Sequence, residues 1–252
     1  MRAISDIRAL GVHRNGGLQA IFGSSVLMIM GMSLVYPILP VIAETLAISD
    51  GQIGLILSVF ALPAVFLAPV TGALSDLRGR KFVLVSSLLV YGIAGGAVVL
   101  VDSFEVLLVL RAVQGVAYAG IMPLVVVLIG DTFSGDREVT AQGVKVVLDR
   151  VALLTLPVVA GLLGAVAWQL PFVLYASAIP MAALAWWRVP QSVLRRTSSA
   201  PHYVREVFAR SIHPRSLAIF SMSSLRFFLE LAFFTYLPLF AYSHIGVTVS
   251  RG

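Results

Sequence analysis

Apolar positions along this chain run in long unbroken blocks rather than in alternation. Seven such blocks stand out, at residues 19–43, 53–74, 82–101, 106–129, 143–167, 171–187 and 217–243. A helix rises 1.5 Å per residue, so about 20 apolar residues cross the roughly 30 Å of bilayer hydrocarbon. Six blocks reach that length comfortably and the sixth in chain order only just. Barrel strands would alternate apolar and polar residues over about ten positions, and these runs do not. The pattern predicts an all-α membrane protein: a leader at 1–18, a six-helix transmembrane bundle at 19–187, a polar linker at 188–216, and a seventh transmembrane helix opening the segment 217–252. The first block is too long for a signal-peptide core, and no small-residue cleavage site follows it.

Charge supplies the orientation. Thirteen lysines and arginines fall in the leader and in the loops after the second, fourth and sixth blocks, from Arg2 through Arg78, Arg80, Lys81 and Arg137 to Arg215. The intervening loops, around 44–50, 102–105 and 168–169, contain none. This bias predicts a multi-pass protein of the plasma (inner) membrane with its N-terminus in the cytoplasm. Composition agrees: 59% of residues are hydrophobic and 12% charged, about half the charged share of soluble domains. The net charge of +6 and the pI near 10.1 therefore reflect topogenic loops rather than a nucleic-acid partner. With no cysteine, thiol chemistry and cysteine metal sites are excluded.

Ionisable residues inside the apolar blocks are the candidate functional groups, because each costs about 3 kcal/mol at mid-bilayer unless it meets a partner or a cavity. Arg111 lies near the outer end of the fourth block and is expected to order Gln114 and nearby carbonyls, facing a cavity. Lys145 and Asp149 are four apart on the fifth block, with Lys145 near the cytoplasmic end and Arg150 rotated away. Arg226 and Glu230 share a face of the seventh, where Glu230 is the deepest carboxylate. Pro63, Pro69, Pro123, Pro157, Pro180 and Pro238 are candidate bends. Gly92, Gly95, Gly96, Gly115, Gly120, Gly161 and Gly164 are candidate points of close helix approach.

The stretch Gly72-Ala73-Leu74-Ser75-Asp76-Leu77-Arg78-Gly79-Arg80-Lys81 reads as a charged, glycine-punctuated hinge between the second and third blocks. Its glycines permit tight turns, and Arg80 and Lys81 are placed to face anionic headgroups. At Gly72, Leu74, Asp76, Gly79, Arg80 and Lys81 it resembles the loop motif of the major facilitator superfamily, with Leu77 where a basic residue is common. Arg111-Ala112-Val113-Gln114-Gly115 resembles that family's intramembrane Arg-x-x-Gln-Gly. Tyr36-Pro37-Ile38-Leu39-Pro40 resembles the Pro-x-x-Pro of its twelve-helix drug/proton antiporters. The fifth block carries Leu156-Pro157 and Ala160-Gly161 where antiporters have Gly-Pro and Gly-Gly.

The resemblance implies the N-terminal half of a major facilitator fold, truncated after helix 7. A weak internal echo, Leu39-Pro40 against Leu237-Pro238, agrees with a restart there. It also implies a secondary transporter that exports small amphipathic solutes by alternating access. The proton gradient would drive it, with no other cofactor. The hinge (Gly72, Asp76, Gly79, Arg80, Lys81) would latch one conformation, and Arg111, Gln114, Asp149, Arg226 and Glu230 would handle substrate or proton. Two rivals belong beside it: a half-transporter that needs a missing C-terminal half or partner chain, or is inactive, and an uptake symporter of a small metabolite. An intramembrane enzyme is not expected, since the four histidines lie in or near loops and no hydrolase or metalloprotease motif is present.

Overall fold

The computed structural model describes residues 15–191 and six helical positions further on, Ala218, Ser221, Met222, Leu225, Arg226 and Leu229. The chain divides into two compact units, Met1–Thr197 and Ser198–Gly252. Residues 192–216 of the expected linker 188–216 and most of the expected seventh span, 217–243, lie outside the described residues.

Among the described residues, six helical stretches are long and apolar enough to cross a membrane: Gly16–Thr45, Gly51–Arg78, Arg80–Leu100, Phe104–Thr132, Asp136–Gly164 and Leu170–Arg188. We call them the first to sixth spans. They coincide with the first six apolar blocks, and their ends follow local chemistry. The Asn15 side chain accepts the Leu18 N–H at 3.1 Å and caps the first span. Ser49 donates its backbone N–H to the Gln52 side chain at 2.9 Å at the head of the second. Ser103 accepts the Val106 N–H at the head of the fourth. Gly135, at φ +59°, turns the chain into the fifth, whose first turn carries Asp136 and Glu138 on the favourable side of the helix dipole.

Three expectations change. The ten-residue hinge is a single residue: the second span runs helically through Gly72 and Asp76 to Arg78, the third opens at Arg80, and Gly79 alone turns between them at φ +96°. Gly72 neither turns nor sits close to a neighbour; a side chain there would meet nothing within 4 Å. The interruption of the first span is at Tyr36–Ile38, a 3₁₀ turn where Pro37 supplies no N–H, whereas Pro63, Pro69, Pro123 and Pro157 sit inside continuous helices.

The second and fourth spans touch backbone to backbone at Gly115, where a methyl would collide with the Phe60 carbonyl. Gly92, Gly95, Gly120 and Gly164 also abut neighbouring side chains, but Gly161 faces open space and Gly96 makes only ordinary contact. The first, third and fourth spans form the interior, with half or slightly more of their most apolar windows buried. The second and fifth are far less covered, at 22% and 11%, and these two faces are what this unit leaves unpartnered.

Candidate functional site

Arg111 is the largest fully buried side chain among the described residues. The break in the first span explains where it goes. The Val35 N–H donates to the Met32 carbonyl at 2.9 Å instead of reaching back to Gly31. The Gly31 carbonyl is thereby released from the helical ladder, and the Arg111 guanidinium donates to it at 2.8 Å. Its other arm donates to Gln114 Oε1 at 2.9 Å, and the guanidinium stacks over the Phe60 ring at 4.3 Å. Tyr175 donates to the Met30 carbonyl at 2.9 Å and to Gly31 at 3.3 Å, and Tyr91 donates to Leu27 at 2.9 Å. Residues of the third, fourth and sixth spans thus staple one segment of the first. The cavity-facing position expected for Arg111 is not found: it is enclosed by protein. Arg111 Nε and Gln114 Nε2 have no hydrogen-bond partner, which leaves two buried donors unsatisfied at a cost of about 1–3 kcal/mol each.

A second cluster sits halfway along the fifth span. That span starts at Asp136, seven residues before its apolar block. Lys145 is therefore roughly 14 Å from the helix start and Asp149 roughly 20 Å, so Lys145 is not terminal as expected. Lys145 donates to Asp149 at 2.7 Å, with both side chains about seven-eighths buried. The Ser25 hydroxyl of the first span donates to the other carboxylate oxygen. Arg150, next along the helix, is exposed and makes no ion pair among the described residues.

The third cluster lies at the arginine-rich end. Arg80 pairs with Asp76 at 3.4 Å and with Asp131, joining the ends of the second, third and fourth spans. The expected contact of Arg80 with headgroups is thus replaced by two carboxylates. Lys81 rests over the Trp186 ring at 5.2 Å. Asp131 was missed in the sequence, although it left a signal. An aspartate in the last turn of a helix opposes the dipole, so its position calls for a cation. These pairs are 21–39% exposed, which limits each to about 0.5 kcal/mol. A double-mutant cycle of Arg80→Gln and Asp131→Asn, read by thermal unfolding in detergent, should give a coupling of about that size. Additive losses would show that the pair does not couple.

All three clusters are built within the first unit. Arg226 is helical and exposed, and Glu230 lies outside the described residues.

Comparison with known proteins follows the same lines. A bacillibactin exporter of Bacillus subtilis (strain 168) is 31% identical over 152 residues, covering 58% of this chain and 38% of that protein. The quinolone resistance protein NorA of Staphylococcus aureus (strain MRSA252) is 26% identical over 146 residues, with the same coverage of 58% and 38%. The chain thus spans less than two fifths of the length of these relatives. Among solved structures, the nucleoside transporter NupG superposes with a TM-score of 0.70 at 18% identity, covering 91% of this chain and 59% of that one. A bacterial homologue of the human lysosomal transporter Spinster, inward-facing and unoccupied, gives 0.66 at 18% identity, covering 92% and 56%. Both share the all-helical arrangement. Residues 21–252 match the family model of the Major Facilitator Superfamily, and with its apolar spans and the Arg80 and Arg111 clusters in place, and with no strand among the described residues, this multi-pass membrane chain belongs to that superfamily.

Proposed function

We propose that this chain is part of a secondary transporter that exports small amphipathic solutes by alternating access, driven by the proton gradient of the plasma membrane. The observation that carries the reading is the mid-span carboxylate of Asp149, held between Lys145 and Ser25. Arg111 is buried and spends its guanidinium on Gly31 and Gln114, so it organises the bundle. The two donors to Asp149 belong to different spans, so its carboxylate ties the first span to the fifth. The neighbouring Arg150 guanidinium would be costly against lipid at this depth. Its face of the fifth span therefore turns toward a polar cavity and a second bundle, carried by the same polypeptide or by a partner chain. The Arg80 cluster would hold one of the two states closed. The exporter among the relatives favours a cargo moving outward.

Everted membrane vesicles with an imposed pH gradient, screened with dyes and amphipathic metabolites, test the reading. Proton-driven accumulation is expected, reduced about a hundredfold by Asp149→Asn, the lower end of the usual range for losing a positioned proton-transfer group. Undiminished proton-driven uptake in Asp149→Asn would remove Asp149 from the mechanism, and accumulation indifferent to the gradient would refute proton coupling.

A further inference from the structure

The third and sixth spans enclose a feature that transport does not use. An open groove of about 420 Å³ runs between them, walled by Phe82, Leu89, Ile179, Ala183, Trp186 and Trp187. Its one polar wall residue, Ser86, spends its hydroxyl on the Phe82 and Val83 carbonyls at 2.9 and 3.1 Å, so the surface offered is apolar throughout. Phe82 to Leu89 covers roughly 10 Å of helix and Ile179 to Trp187 roughly 12 Å, within the 15 Å or so of one leaflet's hydrocarbon. The groove reaches the arginine-rich end of both spans. Lys81 immediately precedes Phe82 and Arg188 immediately follows Trp187. Arg80 is occupied by Asp76 and Asp131, but Lys81 makes no ion pair among the described residues, and its ammonium lies over the ring of Trp186, a wall of the groove. Tryptophans at this level mark the boundary between headgroups and acyl chains.

We propose that this groove binds one acyl chain of an anionic phospholipid from the leaflet at the arginine-rich end, with Lys81 on the headgroup phosphate. The apolar walls account for the chain and the uncompensated cation for the charge. A zwitterionic lipid brings its own ammonium and gains less from Lys81. A partner helix would need a longer apolar seam than two or three turns. The site stands apart from the proposed transport route, so its test needs no transport.

The chain is reconstituted in phosphatidylcholine vesicles, and phosphatidylglycerol or phosphatidylcholine with brominated acyl chains is added while tryptophan fluorescence is followed. Trp186 and Trp187 are 50% and 77% exposed, whereas Trp168 is 3% exposed and reports little. Brominated phosphatidylglycerol should quench at about fivefold lower mole fraction than brominated phosphatidylcholine, the preference that one lysine near a membrane surface confers. Lys81→Gln should merge the two curves, and Lys81→Arg should keep them apart. Ala183→Phe, which fills the groove from an exposed position, should abolish the preference and leave ordinary bulk quenching. Equal quenching by both lipids in the unaltered chain, or a preference that survives both Lys81→Gln and Ala183→Phe, overturns the site. If excess glycerol 3-phosphate abolishes the preference, the cation binds phosphate alone and the acyl groove is refuted. Quenching that declines as protein density in the vesicles rises would place a second copy in the groove and refute it equally.

Discussion

Replacing Arg111 with leucine is expected to lower the stability of the bundle by about 3 kcal/mol, the range for removing one member of a buried charge-assisted network. Leucine fills part of the volume but donates nothing. The Gly31 carbonyl, freed because Val35 bonds to Met32, would then keep only the longer 3.3 Å contact from Tyr175. Gln114 Oε1 would lose its partner within the same enclosed space. Arg111→Lys should recover less than half of the loss. An ammonium is a point donor that cannot reach Gly31 and Gln114 at once or lie flat on Phe60 as the planar guanidinium does. Thermal unfolding in detergent reads the difference as a fall of roughly 10 °C for the leucine variant, at about 3 °C per kcal/mol for a unit of this size. A fall below about 2 °C would mean that the two unsatisfied donors, Arg111 Nε and Gln114 Nε2, already offset what the satisfied arms contribute.

What was legible in the sequence was local. Spans declare themselves because a bilayer fixes their length, and the pairs Lys145–Asp149 and Arg111–Gln114 because helical spacing of four or three puts residues on one face. The acceptors and donors that complete both sites come from the first span, Gly31 and Ser25, at separations of 80 and 124 residues. No spacing rule reaches that far. Two errors of extent share one cause. Polar residues lower hydropathy without ending a helix, so Asp76 and Arg78 continue the second span and Asp136 to Gln142 begin the fifth. The chain turns where φ is positive, at Gly79 and Gly135. The break in the first span had a written signal in Pro37 and Pro40, but proline alone does not decide: four others lie inside unbroken helices.

Glycine identity was equally readable and equally ambiguous, and one comparison separates the two meanings. Gly115→Ala is expected to cost about 3 kcal/mol, at the upper end of overpacking penalties. The added methyl meets the carbonyl, carbonyl carbon and Cα of Phe60, which are backbone atoms and cannot rotate away. The second and fourth spans must part, and the Phe60 ring that lies under the Arg111 guanidinium moves with them. Gly161→Ala adds the same methyl to a helix interior with nothing within 4 Å, where the gain in helical propensity should stabilise by roughly 0.5–1 kcal/mol. Paired unfolding measurements on the two variants should therefore differ in sign. If both are neutral, the second and fourth spans are not in backbone contact, and the packing that positions Arg111 is wrong. If both destabilise alike, the fifth span's open face is covered at Gly161, and the face assigned above to a cavity and second bundle is already occupied.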